Sequence, residues 1–231
     1  MKNLIRPISR AIRNIFRTIR DLLSKKSRFI RLNPFAKGKI IFFDKKKRSF
    51  FALSSRGEGD SSVLDTIFSK YCYNLKGMRR SDDIYAQYAA ILALEKCPLI
   101  IDCGSNIGAA TYFFANEFPE AKVIGVELES NNAKLASKNN LSKDNVHILH
   151  AAIGPESGSV MIENPSEDSK DSFRTKANSG NGKGSIDMIS IPDIQKLYPD
   201  TIPFIVKIDI EGFEDELFSR NTQWMKVFYL I

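Results

Sequence analysis

IIDCGSNIG (Ile100 to Gly108) and VIGVELES (Val123 to Ser130) are the two stretches on which the fold turns. Each begins as an apolar run. The first ends in Asp102 and a turn punctuated by Gly104 and Gly108; the second ends in Glu127, 25 positions after Asp102. That spacing suits one β-α-β unit. It puts a glycine turn and a carboxylate side by side at the carboxyl edge of a parallel sheet, where such folds bind nucleoside ligands. A third stretch, FIVKIDIEG (Phe204 to Gly212), is another apolar run ending in acids and glycine.

Outward from these runs the pattern alternates. Strands are expected near 99–103, 122–127, 145–149, 204–209 and 226–231, and helices near 107–117, 130–140, 191–198 and 212–219. LIIDC and FIVKI are apolar at successive positions, as when helices cover both faces of a sheet. The expected class is therefore α/β, a Rossmann-like parallel sheet with right-handed crossovers. Between strands, Asn164 to Ser185 is polar and rich in Gly, Ser and Asn, so it reads as a mobile loop; a lid and a plain insertion fit it equally. The final VFYLI reads as a strand in mid-course, with the last strands of the sheet absent.

Upstream, SSRGEGDSS breaks the pattern, so 49–60 reads as a loop. Helices are expected over 61–75, capped by Asp60 or Ser61, and over 82–96, capped by Ser81. They would cover the sheet edge and shape the entrance to the site. The chain thus divides into a basic arm (1–48), a helical cap (49–97) and a ligand-binding domain (98–231).

Charge separates the arm from the body. Residues 1–48 hold 16 Lys or Arg against 2 Asp or Glu; the other 183 hold 18 against 25. Apolar residues from Leu4 to Leu23 and arginines from Arg6 to Arg20 both recur at helical spacing, and Asn33-Pro34 would end that helix. No apolar run reaches the roughly 20 residues of a membrane span. An interfacial helix fits residues 4–32, its apolar face in lipid and its guanidinium groups on phosphates. Packing of the stripe on the protein's own body, or a transit peptide, remain alternatives. The apolar stripe makes nucleic acid a poor partner for the arm. Cys72, Cys97 and Cys103 have no metal-type spacing and read as free thiols of a reducing compartment, which points to the cytoplasm or the cytoplasmic face of a membrane. His147 and His150 fall short of a zinc set, so no metal is expected.

The candidate ligand residues are Asp102, Gly104, Ser105, Asn106, Gly108, Glu127, Leu128, Ala151 and Ala152. The glycine pattern G-x-x-x-G is not the G-x-G-x-x-G of dinucleotide sites, and a carboxylate before the turn would repel a pyrophosphate. It suits an ammonium. S-adenosylmethionine carries an ammonium, a sulfonium and no phosphate, so the charges favour it, with Glu127 accepting from the ribose hydroxyls. Asp209 is the candidate base or orienting group for an acceptor hydroxyl, with Lys207 its charge partner and Glu211 a further acid or a helix cap.

IIDCGSNIG, VIGVELES, HAAIGPESGSV (His150 to Val160) and VKIDIEGFEDELF resemble, in order and spacing, the FkbM-type S-adenosylmethionine-dependent methyltransferases. The resemblance covers about residues 97–231. It implies a class I methyltransferase fold and methyl transfer to a hydroxyl, often of a sugar or natural product. It places Asp102, Gly104, Asn106 and Gly108 on the methionine side, Glu127 on the ribose, Ala151 and Ala152 beside the adenine, and Asp209 and Glu211 in the family's DIEG signature. The resulting expectation is an O-methyltransferase acting on a glycan or lipid-linked sugar. An RNA methyltransferase and an inactive scaffold are the alternatives.

Overall fold

The computed structural model describes residues 18–19, 22–24, 27–33, 36, 38–163, 174–177, 185–210 and 212–231. The chain forms two compact units, Met1–Met78 and Arg79–Ile231.

The first unit is built on a three-stranded antiparallel sheet of β1 (Phe29–Arg31), β2 (Lys39–Asp44) and β3 (Ser49–Ser54), in that order. Alternation along KIIFFD and SFFALS sends Ile40, Phe42, Phe51 and Leu53 to one face, where Phe29 and Phe68 join them. Phe68 comes from a π-helical turn, Asp65–Ser69, that extends α1 (Glu58–Leu64). Ion pairs of low exposure fasten the unit, among them Arg28 on Asp44 at 2.8 Å and Arg31 on Asp65 at 3.0 Å.

Three expectations are corrected here. Residues 49–54 are a strand and not a loop, because Phe50 to Leu53 continue the two-residue alternation before the Gly and Ser run begins. The next helix starts at Glu58 with Gly57 at its N-cap, so neither Asp60 nor Ser61 caps it; Asp60 instead accepts from Arg56 N–H at 2.7 Å. The arm helix does not run to Asn33, since β1 intervenes. Of that arm, Thr18, Ile19, Leu22 and Leu23 are helical, and residues 1–17, 20, 21, 25 and 26 lie outside the described residues.

The second unit holds a parallel sheet formed by β4 (Cys97–Cys103), β5 (Lys122–Glu127), β6 (Val146–His150) and the later β11 (Thr201–Ile208). Its order is β11-β4-β5-β6. It is a Rossmann-like parallel sheet flanked by helices. From Pro98 to Cys103 no residue of β4 is exposed, as the unbroken apolar run implied. α2 (Ser81–Ala93) precedes the sheet, α3 (Ala109–Glu117) joins β4 to β5, and α4 (Ser130–Asn139) joins β5 to β6. Arg80, not Ser81, is the N-cap of α2. Tyr85 of α2 donates to Glu117 at 2.5 Å and Tyr88 packs on Phe118, so these contacts sit at the far end of α3 from the glycine turn rather than at the mouth of the site.

A second, mixed sheet was not foreseen. β7 (Ala152–Gly154), β8 (Gly158–Glu163), β9 (Arg174–Ala177) and β10 (Ser185–Ser190) form it in the order β7-β10-β8-β9. The expected loop over Asn164 to Ser185 therefore contains a strand, β9, paired antiparallel with β8; residues 164–173 and 178–184 lie outside the described residues. Two further helices are α5 (Ile191–Leu197) and α6 (Glu214–Ser219). The expected strand over 226–231 is replaced by a 3₁₀ turn, Thr222–Lys226, and a single parallel bridge between Leu230 and Ile205. Among the described residues no helix is long and apolar enough to cross a membrane.

Candidate active site

Parallel pairing sets the site. Cys103 lies opposite Val126, so β4 and β5 end together and deliver Asp102 and Glu127 to one edge of the sheet. The chain then folds back between them. Gly104 and Ser105 N–H both donate to Val126 O at 2.9 Å, and Asn106 N–H donates to Glu127 Oε2 at 2.7 Å. Gly104, Asn106 and Gly108 adopt left-handed backbone at φ 77°, 50° and 75°. A side chain at Gly104 would come within 2.0 Å of Asp209 O, so the turn and the end of β11 are in backbone contact, which only glycine permits.

Beneath the turn is a buried charge network. Asp102 has no exposed surface. Its Oδ2 accepts from Thr111 Oγ1 at 2.6 Å, and its Oδ1 lies 2.9 Å from Lys207 Nζ. Lys207 also donates to Gly104 O at 2.8 Å. Among the described residues, the expected pairing of Lys207 with Asp209 is the longer of its two carboxylate contacts, 3.7 Å. A charge buried as deeply as Asp102 needs a close partner, and Lys207 meets that need before it serves an exposed acid. Asp102 thus supports the turn from below, and its two oxygens face Thr111 and Lys207. The same burial, with the Asp102 charge second, pushes the Cys103 thiol far above its ordinary range and keeps it protonated.

Glu127 is differently placed. It is buried, yet it accepts from Asn106 N–H through one oxygen and from Glu129 N–H, at 2.9 Å, through the other. Burial raises its pKa above the ordinary value of 4.5; those N–H donors, with Asn132 Nδ2 at 3.5 Å, pull the other way. Oε2 keeps a further acceptor direction after these bonds, whereas the second direction of Oε1 is taken by the long Asn132 contact.

Asp209 follows β11 directly. Its N–H donates to Cys103 O at 3.1 Å, and its side chain is exposed. Ala151 and Ala152 are buried, and Ala151 N–H donates to Glu127 O at 3.0 Å. Leu128 packs against the cluster of Ala152, Val160 and Met188. Ser105 is buried, and its hydroxyl has no hydrogen-bond partner among the described residues. Glu211 lies outside the described residues. Nine of the sequence-chosen residues therefore surround one turn: Asp102, Gly104, Ser105, Asn106, Gly108, Glu127, Ala151, Lys207 and Asp209.

Four residues that hold the turn escaped the sequence reading. Thr111 is one. Asn132 is another. Asn139 Nδ2 donates to Ile107 O at 2.9 Å, and Asn140 Nδ2 donates to Gly108 O at 3.0 Å. The signal available for Thr111 was a hydroxyl inside an apolar helix whose every residue is buried. The two histidines have local partners: His147 Nδ1 with Tyr198 Oη at 2.7 Å, and His150 Nε2 with Leu128 O at 3.1 Å.

The acceptors at this edge suit hydroxyl and cationic groups better than phosphate. Glu127 and Asp209 are acids, and the nearby lysine, Lys207, is already committed to Asp102 and to Gly104 O. A pyrophosphate would meet carboxylates here, whereas ribose hydroxyls and cationic groups would find acceptors.

Residues 102–226, more than half of the 231-residue chain, match the family model of the methyltransferase FkbM domain. The protein is thus a methyltransferase. It belongs to the FkbM methyltransferase family. A search of curated proteins finds no match.

Proposed function

We propose that the protein is an S-adenosylmethionine-dependent O-methyltransferase whose acceptor is a hydroxyl of a glycan or lipid-linked sugar. The observation that carries this reading is the Glu127 carboxylate, held by two backbone N–H groups beside the Gly104–Gly108 turn and across from the exposed Asp209. In this reading Glu127 accepts from the ribose hydroxyls. Gly104, Ser105, Asn106 and Gly108 present backbone to the methionine end, and Leu128, Ala151 and Ala152 border the adenine. Asp102 and Lys207 keep the turn in register from below. When bound, S-adenosylmethionine supplies a methyl group on an electrophilic sulfonium. Asp209 orients the acceptor hydroxyl and takes up the proton that the hydroxyl must release, with Glu211 as a second acid on the same segment. Positioning contributes most of the rate, since effective molarity is worth about 7–11 kcal/mol.

Residues 4–32 bring this chemistry to an anionic membrane surface on the cytoplasmic side. The support is the charge pattern, in which a basic arm precedes an acidic body. Calorimetry of the full chain with S-adenosylhomocysteine tests the cofactor reading: saturable binding is expected, and no heat at high protein concentration would mark an inactive scaffold. For the arm, Ile8→Asp/Ile12→Asp is expected to weaken binding to anionic vesicles. Tight RNA binding with a steep salt dependence would favour an RNA substrate instead.

A further inference from the structure

The hairpin of β2 and β3 is apolar on both faces. A two-stranded ribbon with one solvent face alternates apolar and polar. Here the inner positions Ile40, Phe42, Phe51 and Leu53 already fill the core of the first unit. The outer positions carry Ile41 opposite Ala52 and Phe43 opposite Phe50, with the Phe43 and Phe50 rings 4.9 Å apart. Phe50 is 69% exposed and Ile41 37%. The turn between the strands is Lys45, Lys46, Lys47 and Arg48. The acid beside it, Asp44, is buried against Arg28 and accepts from the Lys46 N–H, so it adds no surface charge at the tip. A second segment is fastened to that turn: Lys45 Nζ donates to Ser24 O at 2.6 Å, just past Leu22 and Leu23, which are 58% and 77% exposed.

We propose that this hairpin is a membrane-docking element, with Phe50, backed by the half-buried Phe43, inserting at the headgroup level of an anionic bilayer and the Lys45–Arg48 turn seated on lipid phosphates. The aromatic pair with cations beside it could also stack on single-stranded bases. The aliphatic Leu22, Leu23 and Ile41 in the same unit decide for lipid, since acyl chains accept them and a polynucleotide does not. The proposal deepens the membrane reading given above. It moves recognition from the arm alone to a folded hairpin whose geometry fixes which face of the first unit meets the bilayer.

The test is co-sedimentation of the full chain with phosphatidylcholine vesicles containing about one-third phosphatidylserine. Phe50→Asp is expected to lower the vesicle affinity about tenfold, from the loss of one inserted aromatic. Lys47→Glu/Arg48→Glu, which leaves the apolar face intact, is expected to lower it at least as much on anionic vesicles and not at all on neutral ones. Leu141→Asp, at a still more exposed apolar site in the other unit, is expected to change nothing. Circular dichroism confirms that each variant is folded. If the two hairpin variants bind like the parent while Ile8→Asp/Ile12→Asp does not, the hairpin proposal is overturned and the arm reading stands. If the parent ignores anionic vesicles, both fail. RNA retention lost with Phe50→Asp, or a monomer–dimer shift in ultracentrifugation, would likewise overturn the proposal in favour of a polynucleotide or a second copy.

Discussion

Lys207 decides the chemistry beneath the glycine turn. Removing its charge leaves Asp102 buried with Thr111 as its one partner among the described residues. Lys207→Met is therefore expected to destabilise the fold by about 3–5 kcal/mol, measured by urea unfolding. Replacing both charges, as Asp102→Leu/Lys207→Met, should recover most of that loss, because two apolar side chains leave no unpaired charge. A double variant as unstable as the single one would show that the pair's worth lies in the Lys207 bond to Gly104 O. Gly104→Ala is the companion case: strain at φ 77° adds to a backbone clash with Asp209 O, for a cost on the order of 2–4 kcal/mol. The sequence exposed these residues because each breaks a local rule: a lysine in an apolar strand, an acid before a turn, glycines at fixed offsets. It did not show which acid Lys207 prefers. Asp209 is two positions away, whereas Asp102 is brought close only by pairing β11 with β4.

At the level of elements, the end of β5 meets the turn through Glu127, and that contact is titratable. Burial raises the folded pKa above 4.5, so the folded state holds its proton more tightly than the unfolded chain. The contribution of this group to stability is then greatest below pH 4.5 and is lost as pH rises through the raised folded value. On the proposed reading cofactor binding runs the opposite way, since accepting from a ribose hydroxyl needs the carboxylate. Calorimetric affinity for S-adenosylhomocysteine is expected to fall as pH drops, with a midpoint above 4.5, and Glu127→Gln should flatten that dependence. A midpoint at or below 4.5 would detach Glu127 from the ribose. The elements that frame this site were legible because unbroken apolar runs and their acidic ends are long-range features of the sequence. β7 to β10 were not. Ala152–Gly154 is three residues long, and β9 sits inside a polar stretch whose pairing with β8 comes from register rather than composition. Phe50 misled in the opposite direction: its strand lies against a Gly and Ser run, so the boundary was set too early.

Across the whole molecule, the two kinds of binding rest on different forces and should separate with salt. The first unit carries the basic excess, and its proposed surface acts through exposed cations, which are screened over about 10 Å at 0.1 M salt and 3 Å at 1 M. The cofactor edge offers carboxylates and backbone, and its lysine is buried in an internal ion pair that salt reaches poorly. Raising the ionic strength from about 0.05 to 0.5 M should therefore weaken binding to anionic vesicles steeply while leaving S-adenosylhomocysteine affinity within about twofold. What vesicle binding survives at high salt should depend on Phe50, because insertion of an aromatic ring is not screened. Equal salt sensitivity of the two ligands would mean that the cofactor edge recognises a charge that Lys207 is not free to supply, and the phosphate-free reading of the site would fall with it.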